Sequence, residues 1–363
     1  MFDLEMTEDQ RLVRETVASF ARDEIRPISR DCDESGHIPP ALADKGFDLG
    51  LIHSAIPEDV GGYGEMRSAV TGAIVTEELG WGDLSIALHL LAPRLLAYPV
   101  IDAGTPEQKA RLLPAFTKRF HASAAAVVEP RFDFDTLSFA TTAKKSGASW
   151  VIDGAKCFVP LAADAETLLV FAQTEAGPDA FLVDRGTPGL TIGEREKNMG
   201  LKGLATYEVE LKNVAVPAAA RLGGEAGSDV GKIFDRSRIA VAGLAVGLAR
   251  GAYEYAREYA KDRTAFGVAI AQKQAIAFIL AEMAIEIDAT RLLLWEAAWA
   301  LDRGEDATRQ TVLAKRYAAT MALKVTDNAV QVLGGHGYIR DHPVELWLRN
   351  ARGFTAIDGL AIV

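Results

Sequence analysis

Three groups of residues toward the C-terminal end of the chain are of types and spacings that could do chemistry. Asp358 is a lone acid in the apolar stretch around Ile357-Asp358-Gly359-Leu360, where a carboxylate can take a proton if a substrate acidifies its own C–H bond. Gln331-Val332-Leu333-Gly334-Gly335-His336-Gly337 is a turn whose glycines let backbone approach a ligand closely. Arg263, followed by Phe266-Gly267, supplies a planar cation. Taken singly, each has a plainer explanation: a turn acid before glycine, a glycine capping a helix, a solvated surface charge.

The elements that must position these groups fall into three textures. From Thr7 to about Lys118 the pattern is helical. Thr7 with Gln10 predicts a capping box, and Leu12, Val13, Thr16, Val17 and Phe20 recur at helical spacing until Pro27, which is expected to end that helix. Glu77, Glu78 and Leu79 belong to a helix after the loop at Pro57–Gly64. From about His121 to Pro217 short β-branched and aromatic runs alternate with turns; Asp153-Gly154 predicts a hairpin, and Tyr207, Val209 and Leu211 alternate with charged residues as in a strand with one wet face. From about Gly231 the chain is helical again. Ile276, Ile279, Leu280, Met283, Ile287, Leu294 and Leu301 form one apolar stripe, and Gly243, Gly247 and Gly251 a flat face for close helix packing.

Composition narrows the function. The chain has 363 residues, 49% hydrophobic and 25% charged, enough for two or three domains with a large core. A net charge of -11 argues against nucleic acid, which demands a concentrated basic surface. Cys32 and Cys157 are the only cysteines, so no disulfide framework or thiolate metal site is available and a reducing cytoplasm is expected. No membrane span is expected, because the longest apolar run, Ile239 to Ala249, falls short of the roughly 20 residues a span requires. The start of the chain, with Asp3 and Glu5, lacks the pattern of a signal peptide.

The order of textures and the motifs together resemble the acyl-CoA dehydrogenase family over essentially the whole chain. The resemblance runs through Thr7-Glu8-Asp9-Gln10, Phe20-Ala21, Pro57-Glu58 with Gly61-Gly62, Glu77-Glu78-Leu79-Gly80, Glu129-Pro130, Asn198-Met199-Gly200, Val214 to Pro217, Arg263 and the Gly334–Gly337 turn. It implies an α+β fold: an N-terminal all-α domain (1–120), a middle β-barrel or sandwich domain (121–220) and a C-terminal four-helix-bundle domain (221–363). It implies tetramers in which FAD lies between the β domain of one subunit and the C-terminal helices of its neighbour. Arg263, Phe266 and Gln274 would reach the neighbour's FAD, and Gln331, Val332, Leu333, Gly334 and Gly335 would hold its adenosine end. Val128, Phe158 and Pro160 fall where the flavin ring is contacted; Asp235, Arg238, Phe134 and Gly359 fall along the acyl-CoA site. A helix-surface ion pair explains Asp235 and Arg238 equally well.

The implied reaction removes a proton from Cα of an acyl-CoA thioester and a hydride from Cβ. Asp358 occupies the place where relatives usually carry the glutamate base, and it shortens the reach by roughly 1.5 Å. Some relatives acting on alicyclic thioesters also carry aspartate. The alternative position for the base, before Arg238, is Ser237 here. Other departures gather on the flavin-ring side: Val128 replaces a threonine, Arg131, Phe132, Asp133 and Phe134 replace small residues, Phe158 replaces a tryptophan, and Pro160 offers neither hydroxyl nor amide hydrogen. The chain ends five residues after Asp358, so that acid is expected to be loosely held.

Two readings stand, with a weaker third. The preferred one is an FAD-dependent acyl-CoA dehydrogenase with Asp358 as base, electron-transferring flavoprotein as acceptor, in a homotetramer. The alternative is a non-catalytic or half-catalytic subunit of a mixed tetramer with a paralogue. The third is a flavin-free acyl-CoA-binding protein.

Overall fold

A computed structural model describes residues 5–355 and 357–363, so Asp3 lies outside the described residues. The N-terminal region is helical: α1 (Glu8–Phe20), α2 (Ser29–Ser35), α3 (Pro40–Asp48), α4 (Ala69–Gly82), α5 (Leu84–Leu91), α6 (Arg94–Ala103) and α7 (Pro106–Leu112). The capping box forms as expected, the Gln10 N–H donating to Thr7 Oγ1 at 3.2 Å and the Thr7 N–H to Gln10 Oε1 at 3.0 Å. Pro27 does not end α1. The regular helix stops earlier, at Phe20, and widens into a π turn (Ala21–Ile25) and a tight 3₁₀ turn (Arg26–Ile28) that accommodates the proline.

The middle region is one curled sheet of β1 (Ala124–Ala126), β2 (Thr142–Ser146), β3 (Ser149–Pro160), β4 (Thr167–Thr174), β5 (Gly177–Asp184), β6 (Leu190–Arg195) and β7 (Thr206–Pro217). Its order is β1-β4-β2-β3-β7-β6, with β5 on the other side of β4. Val209, Leu211, Val214 and Val216 point inward from β7 while Glu208, Glu210 and Lys212 face water. The predicted hairpin at Asp153-Gly154 is corrected: β3 runs straight through it. The turn between β2 and β3 lies at Gly147, which adopts φ +60°, and Gly154 is instead a bulge where the register against β7 shifts. An added Cβ at Gly154 would stand 2.5 Å from Thr141 Oγ1, so the glycine serves a close crossing rather than a turn.

The C-terminal region contains α8 (Val230–Asp262), a small hairpin of β8 (Thr264–Ala265) and β9 (Val268–Ala269), then α9 (Gln274–Asp302), α10 (Thr308–Leu333), α11 (Gly335–Tyr338) and α12 (Val344–Ala351). The three long helices pack on one another, and α8 also lies flat on α4. That contact needs the glycine face: a Cβ at Gly247 would lie 1.9 Å from the Glu77 carbonyl oxygen, and one at Gly243 2.1 Å from Thr76 Oγ1. Beside it, Arg250 binds both Glu77 and Glu78, Arg291 reaches Glu77, and Arg14 reaches Glu78. The four helices are thus cross-linked by charge where they are too close for large side chains. Among the described residues no single helix is long and apolar enough to cross a membrane; the bent pair α5–α6 passes on composition but is buried in the core.

Candidate active site

The first turns of α8 face the start of α10. Asp235 is 4% exposed, and its Oδ1 accepts from Arg238 Nη1 at 2.8 Å and from Thr311 Oγ1 at 2.6 Å. Its Oδ2 accepts from Thr308 Oγ1 at 2.8 Å. A buried carboxylate with every oxygen engaged fixes the two helices against each other. Arg238 is then aimed at the loop that follows β1, where Nη2 lies 3.4 Å from Thr136 Oγ1.

One turn along the same face of α10 stands Lys315, and its Nζ is 2.5 Å from Asp358 Oδ1. Both side chains are mostly shielded, at 17% and 28% exposure. Gly359 follows in a left-handed conformation, φ +76°, and a Cβ there would sit 2.8 Å from Val127 Cγ2. The Asp358-Gly359 turn is therefore pressed against the segment that leaves β1. Contrary to expectation, Asp358 is not loosely held, for Leu360 to Val363 behind it are all at most 2% exposed.

That segment, Val127 to Glu129, is pinned from below. Lys156 is fully buried and donates to the Val127 carbonyl at 3.1 Å and to Glu129 Oε1 at 3.0 Å. Glu129 also accepts from the Ala140 and Thr141 amides at 2.7 and 2.8 Å. Burial pushes the Lys156 ammonium down to about 8, opposed by Glu129. Burial opposes ionisation of Glu129, but Lys156 and the two amides hold its carboxyl below the ordinary value. The Val128 carbonyl accepts the Cys157 N–H at 2.9 Å. Phe158, at φ +52°, is half-buried and donates its N–H to Glu196 Oε1 at 3.1 Å, while Glu196 Oε2 is buried with no hydrogen-bond partner among the described residues. Pro160 is buried at the end of β3, opposite Thr206.

The aromatic residues do not all crowd the site. Phe132 is wholly exposed, whereas Phe134 lies 6.2 Å from Phe139 in a chain of rings that continues to Phe171 and Phe234 and seats the sheet on α8.

A second set of sequence-marked residues stands at the far end of α8, roughly 37 Å from Arg238 at 1.5 Å per residue. Arg263 is exposed and without an ionic partner among the described residues. Phe266 is 94% exposed at the tip of the β8–β9 hairpin, where Phe266 and Gly267 both adopt positive φ. Gln274 and Gln331 are exposed, Val332 and Leu333 are buried under the turn, and ideal Cβ atoms at Gly334 and Gly335 would meet nothing within 4 Å. Within one chain this set cannot act on the site around Asp358.

Three family models match in order along the chain: acyl-CoA dehydrogenase N-terminal domain over residues 7–119, middle domain over 124–214 and C-terminal domain over 228–361. The chain belongs to the acyl-CoA dehydrogenase family. It is 38% identical over 359 residues to cyclohex-1-ene-1-carbonyl-CoA dehydrogenase of Syntrophus aciditrophicus, covering 96% of this chain and 86% of that protein. It is 34% identical to the mitochondrial short-chain specific acyl-CoA dehydrogenase of Bos taurus, covering 98% and 88%. Among solved structures, butyryl-CoA dehydrogenase from Megasphaera elsdenii superposes with a TM-score of 0.88 at 31% identity, covering 98% of this chain and 96% of that one.

In this acyl-CoA dehydrogenase family member, an oxidoreductase of CH–CH bonds, the fold brings Asp358, Gly359, Asp235, Arg238 and the Val127–Glu129 segment to one side of α10. It separates them from Arg263, Phe266, Gln274 and the Gly334 turn. Lys315, Lys156, Thr136, Thr308 and Thr311 were missed from sequence. The spacing of Thr308, Thr311 and Lys315 on one helical face was the available signal; their acidic partners lie far away in the chain.

Proposed function

We propose that this protein is an FAD-dependent acyl-CoA dehydrogenase that removes the α-proton and β-hydride of an acyl-CoA thioester, with Asp358 as the base. One observation carries the reading: Asp358 is held by Lys315 on a turn wedged against Val127, on the same face of α10 as Asp235 and Arg238. Arg238 steers the CoA part of the ligand along the Thr136 loop, held in aim by Asp235. Lys315 keeps Asp358 oriented until the thioester's Cα–H reaches it, and the Asp358 carboxylate takes that proton. Bound FAD supplies the acceptor for the hydride. Arg263 suits its pyrophosphate and the open Gly334-Gly335 backbone its adenosine end, both offered to a neighbouring subunit. On the ring side Phe158 supplies an aromatic face, but Val128 and Pro160 lack the hydrogen-bond donors that relatives carry.

The assembly is a homotetramer in this reading. Phe278, Ile285 and Leu292, at 60%, 67% and 47% exposure and seven residues apart, form an unpartnered apolar seam on α9 suited to another helix. Electron-transferring flavoprotein is the acceptor, and the buried, free Cys32 and Cys157 fit the cytoplasm. The loss of donors at Val128 and Pro160 beside an intact Arg263 end favours one second reading, a subunit that lends Arg263 to a paralogue's flavin. Anaerobic addition of acyl-CoA to the purified protein decides between them. Bleaching of the flavin band that Asp358→Ala abolishes supports the enzyme; a colourless protein that retains flavin only when mixed with a paralogue supports the partner subunit.

A further inference from the structure

At the far end of α8 two histidines are held as a pair. His336 stands in α11, just past Gly334, and His342 in the loop before α12. Their rings lie nearly parallel, 14° apart with centroids at 5.4 Å. Each Nδ1 is hydrogen-bonded at 2.7 Å to a tyrosine hydroxyl, His342 to Tyr255 and His336 to Tyr259. The two tyrosines lie one turn apart on one face of α8, so a single helix sets both rings. Tyr259 also stands nearly perpendicular to the two imidazoles, at 5.9 and 5.7 Å. These four side chains and Arg263 wall a cavity of about 450 Å³, and neither Nε2 has a hydrogen-bond partner among the described residues.

The charges that face the pair come from three directions. On α8, Glu258 and Asp262 border the cavity with Arg263; Glu258 is answered by Arg257 and Lys261, and Asp262 is exposed at the rim. From α2, Arg30 donates to the His342 carbonyl at 3.1 Å and pairs with Glu345 of α12. In the loop itself Arg340 pairs with Asp33 and Glu34, and Asp341 is exposed. Arg26, stacked between Trp81 and Trp347, is near enough to Tyr255 to act on its hydroxyl.

Histidine is the side chain that changes charge near neutral pH. While both rings are neutral, each Nδ1 can accept from its tyrosine and each Nε2 can donate outward. A proton added to one ring turns its Nδ1 into a donor to the tyrosine oxygen. A second cation in a parallel ring 5.4 Å away, with Arg263 in the same cavity, is opposed by like-charge repulsion. An anion in the cavity removes that opposition and so draws a proton in with it. Phosphate suits the planar Arg263 guanidinium, and the Gly334-Gly335 backbone, where an added Cβ would meet nothing within 4 Å, leaves room for the rest of a nucleotide.

We propose that the His336–His342 pair is a proton-coupled clamp for a dinucleotide diphosphate, taking up a proton as Arg263 engages the phosphates. The ligand is either the neighbouring subunit's FAD, in which case the clamp rests on the dehydrogenase reading, or another dinucleotide, in which case it does not.

Titration calorimetry on the full-length protein, freed of nucleotide, counts the protons. FAD and NAD are each titrated at pH 7 in two buffers of different ionisation enthalpy. The phosphates of both are diesters that hold no proton near neutrality, so any proton taken up goes to the protein. The wild type should take up about one proton per ligand, and its dissociation constant should rise on the order of tenfold from pH 6 to pH 8. Joint replacement His336→Gln and His342→Gln should erase both effects. Uptake with FAD alone assigns the clamp to the flavin; uptake with NAD as well assigns it to dinucleotides in general. Binding by the wild type whose enthalpy is the same in both buffers overturns the proposal without recourse to any variant, as does uptake that survives the double substitution or failure of both ligands to bind. FAD bound without a proton would sink the clamp and leave the dehydrogenase standing, whereas uptake with NAD by a protein that ignores FAD would do the reverse.

Discussion

Lys315 and Asp358 are joined by a 2.5 Å ion pair that ties the Asp358-Gly359 turn to the N-terminal third of α10. The pair unites two tasks, since the group that would take a proton is also the anchor of the segment bearing it. Asp358→Ala should lower the rate of flavin bleaching by at least about 100-fold, within the usual contribution of a general base. Lys315→Met should leave flavin content unchanged and slow the same step on the order of tenfold, because errors near 1 Å in a reacting group are costly. Stopped-flow reduction with one acyl-CoA checks both; an undiminished rate in Asp358→Ala would refute the assignment of the base.

Gly359→Ala tests the wedge against Val127. The substitution places a methyl 2.8 Å from Val127 Cγ2 at a φ of +76°, which an L side chain resists. We expect a destabilisation of about 1–3 kcal/mol by denaturant titration, typical of overpacking. Bleaching should slow by a larger factor than in Lys315→Met, because the whole turn is displaced.

Arg263→Ala addresses the other end of the molecule. The residue is exposed and has no ionic partner among the described residues, so stability of the flavin-free protein should change by no more than about 0.5 kcal/mol. Affinity for FAD should fall on the order of tenfold, as for a lost charge-assisted contact to phosphate. Equilibrium dialysis reads the second effect, calorimetric melting the first. Full retention of FAD would exclude Arg263 from the cofactor.

Acid should act through the Glu78 cluster. Burial raises the Glu78 carboxyl, but Arg250 and Arg14 outweigh it and hold the folded value below the ordinary 4.5. A carboxyl depressed in the folded state stabilises above its unfolded value and loses that contribution as pH falls through the folded one. Melting temperature should therefore drop below about pH 4.5, the unfolded value of glutamate, and Glu78→Gln should flatten that drop while lowering stability at pH 7 by about 1–3 kcal/mol. An unaltered slope in the variant would place the acid sensitivity elsewhere.

Much of the architecture was legible because local rules agreed with the fold. Thr7 and Gln10 announced the start of α1, the alternation in β7 declared its wet face, and Gly243 with Gly247 marked the flat contact that α4 fills. Asp153-Gly154 misled because a two-residue turn motif also satisfies a bulge, and only the crossing of Thr141 over Gly154 decides between them. The candidate site was half legible. Asp358 could be found from its neighbours in sequence, but Lys315 could not, since an ion pair across the fold leaves no periodic trace.

The uninterrupted run of α8 from Val230 to Asp262 makes it a rigid strut. In the assembly proposed above its two ends serve different reaction centres, one in its own subunit and one in a neighbour, so their phase is set by residue count alone. A single residue inserted near Leu248 would turn Arg263 by about 100° and advance it about 1.5 Å relative to Arg238. On that proposal the length of this helix answers to two sites that never touch, and tolerance for insertion should be lowest where no functional side chain is found.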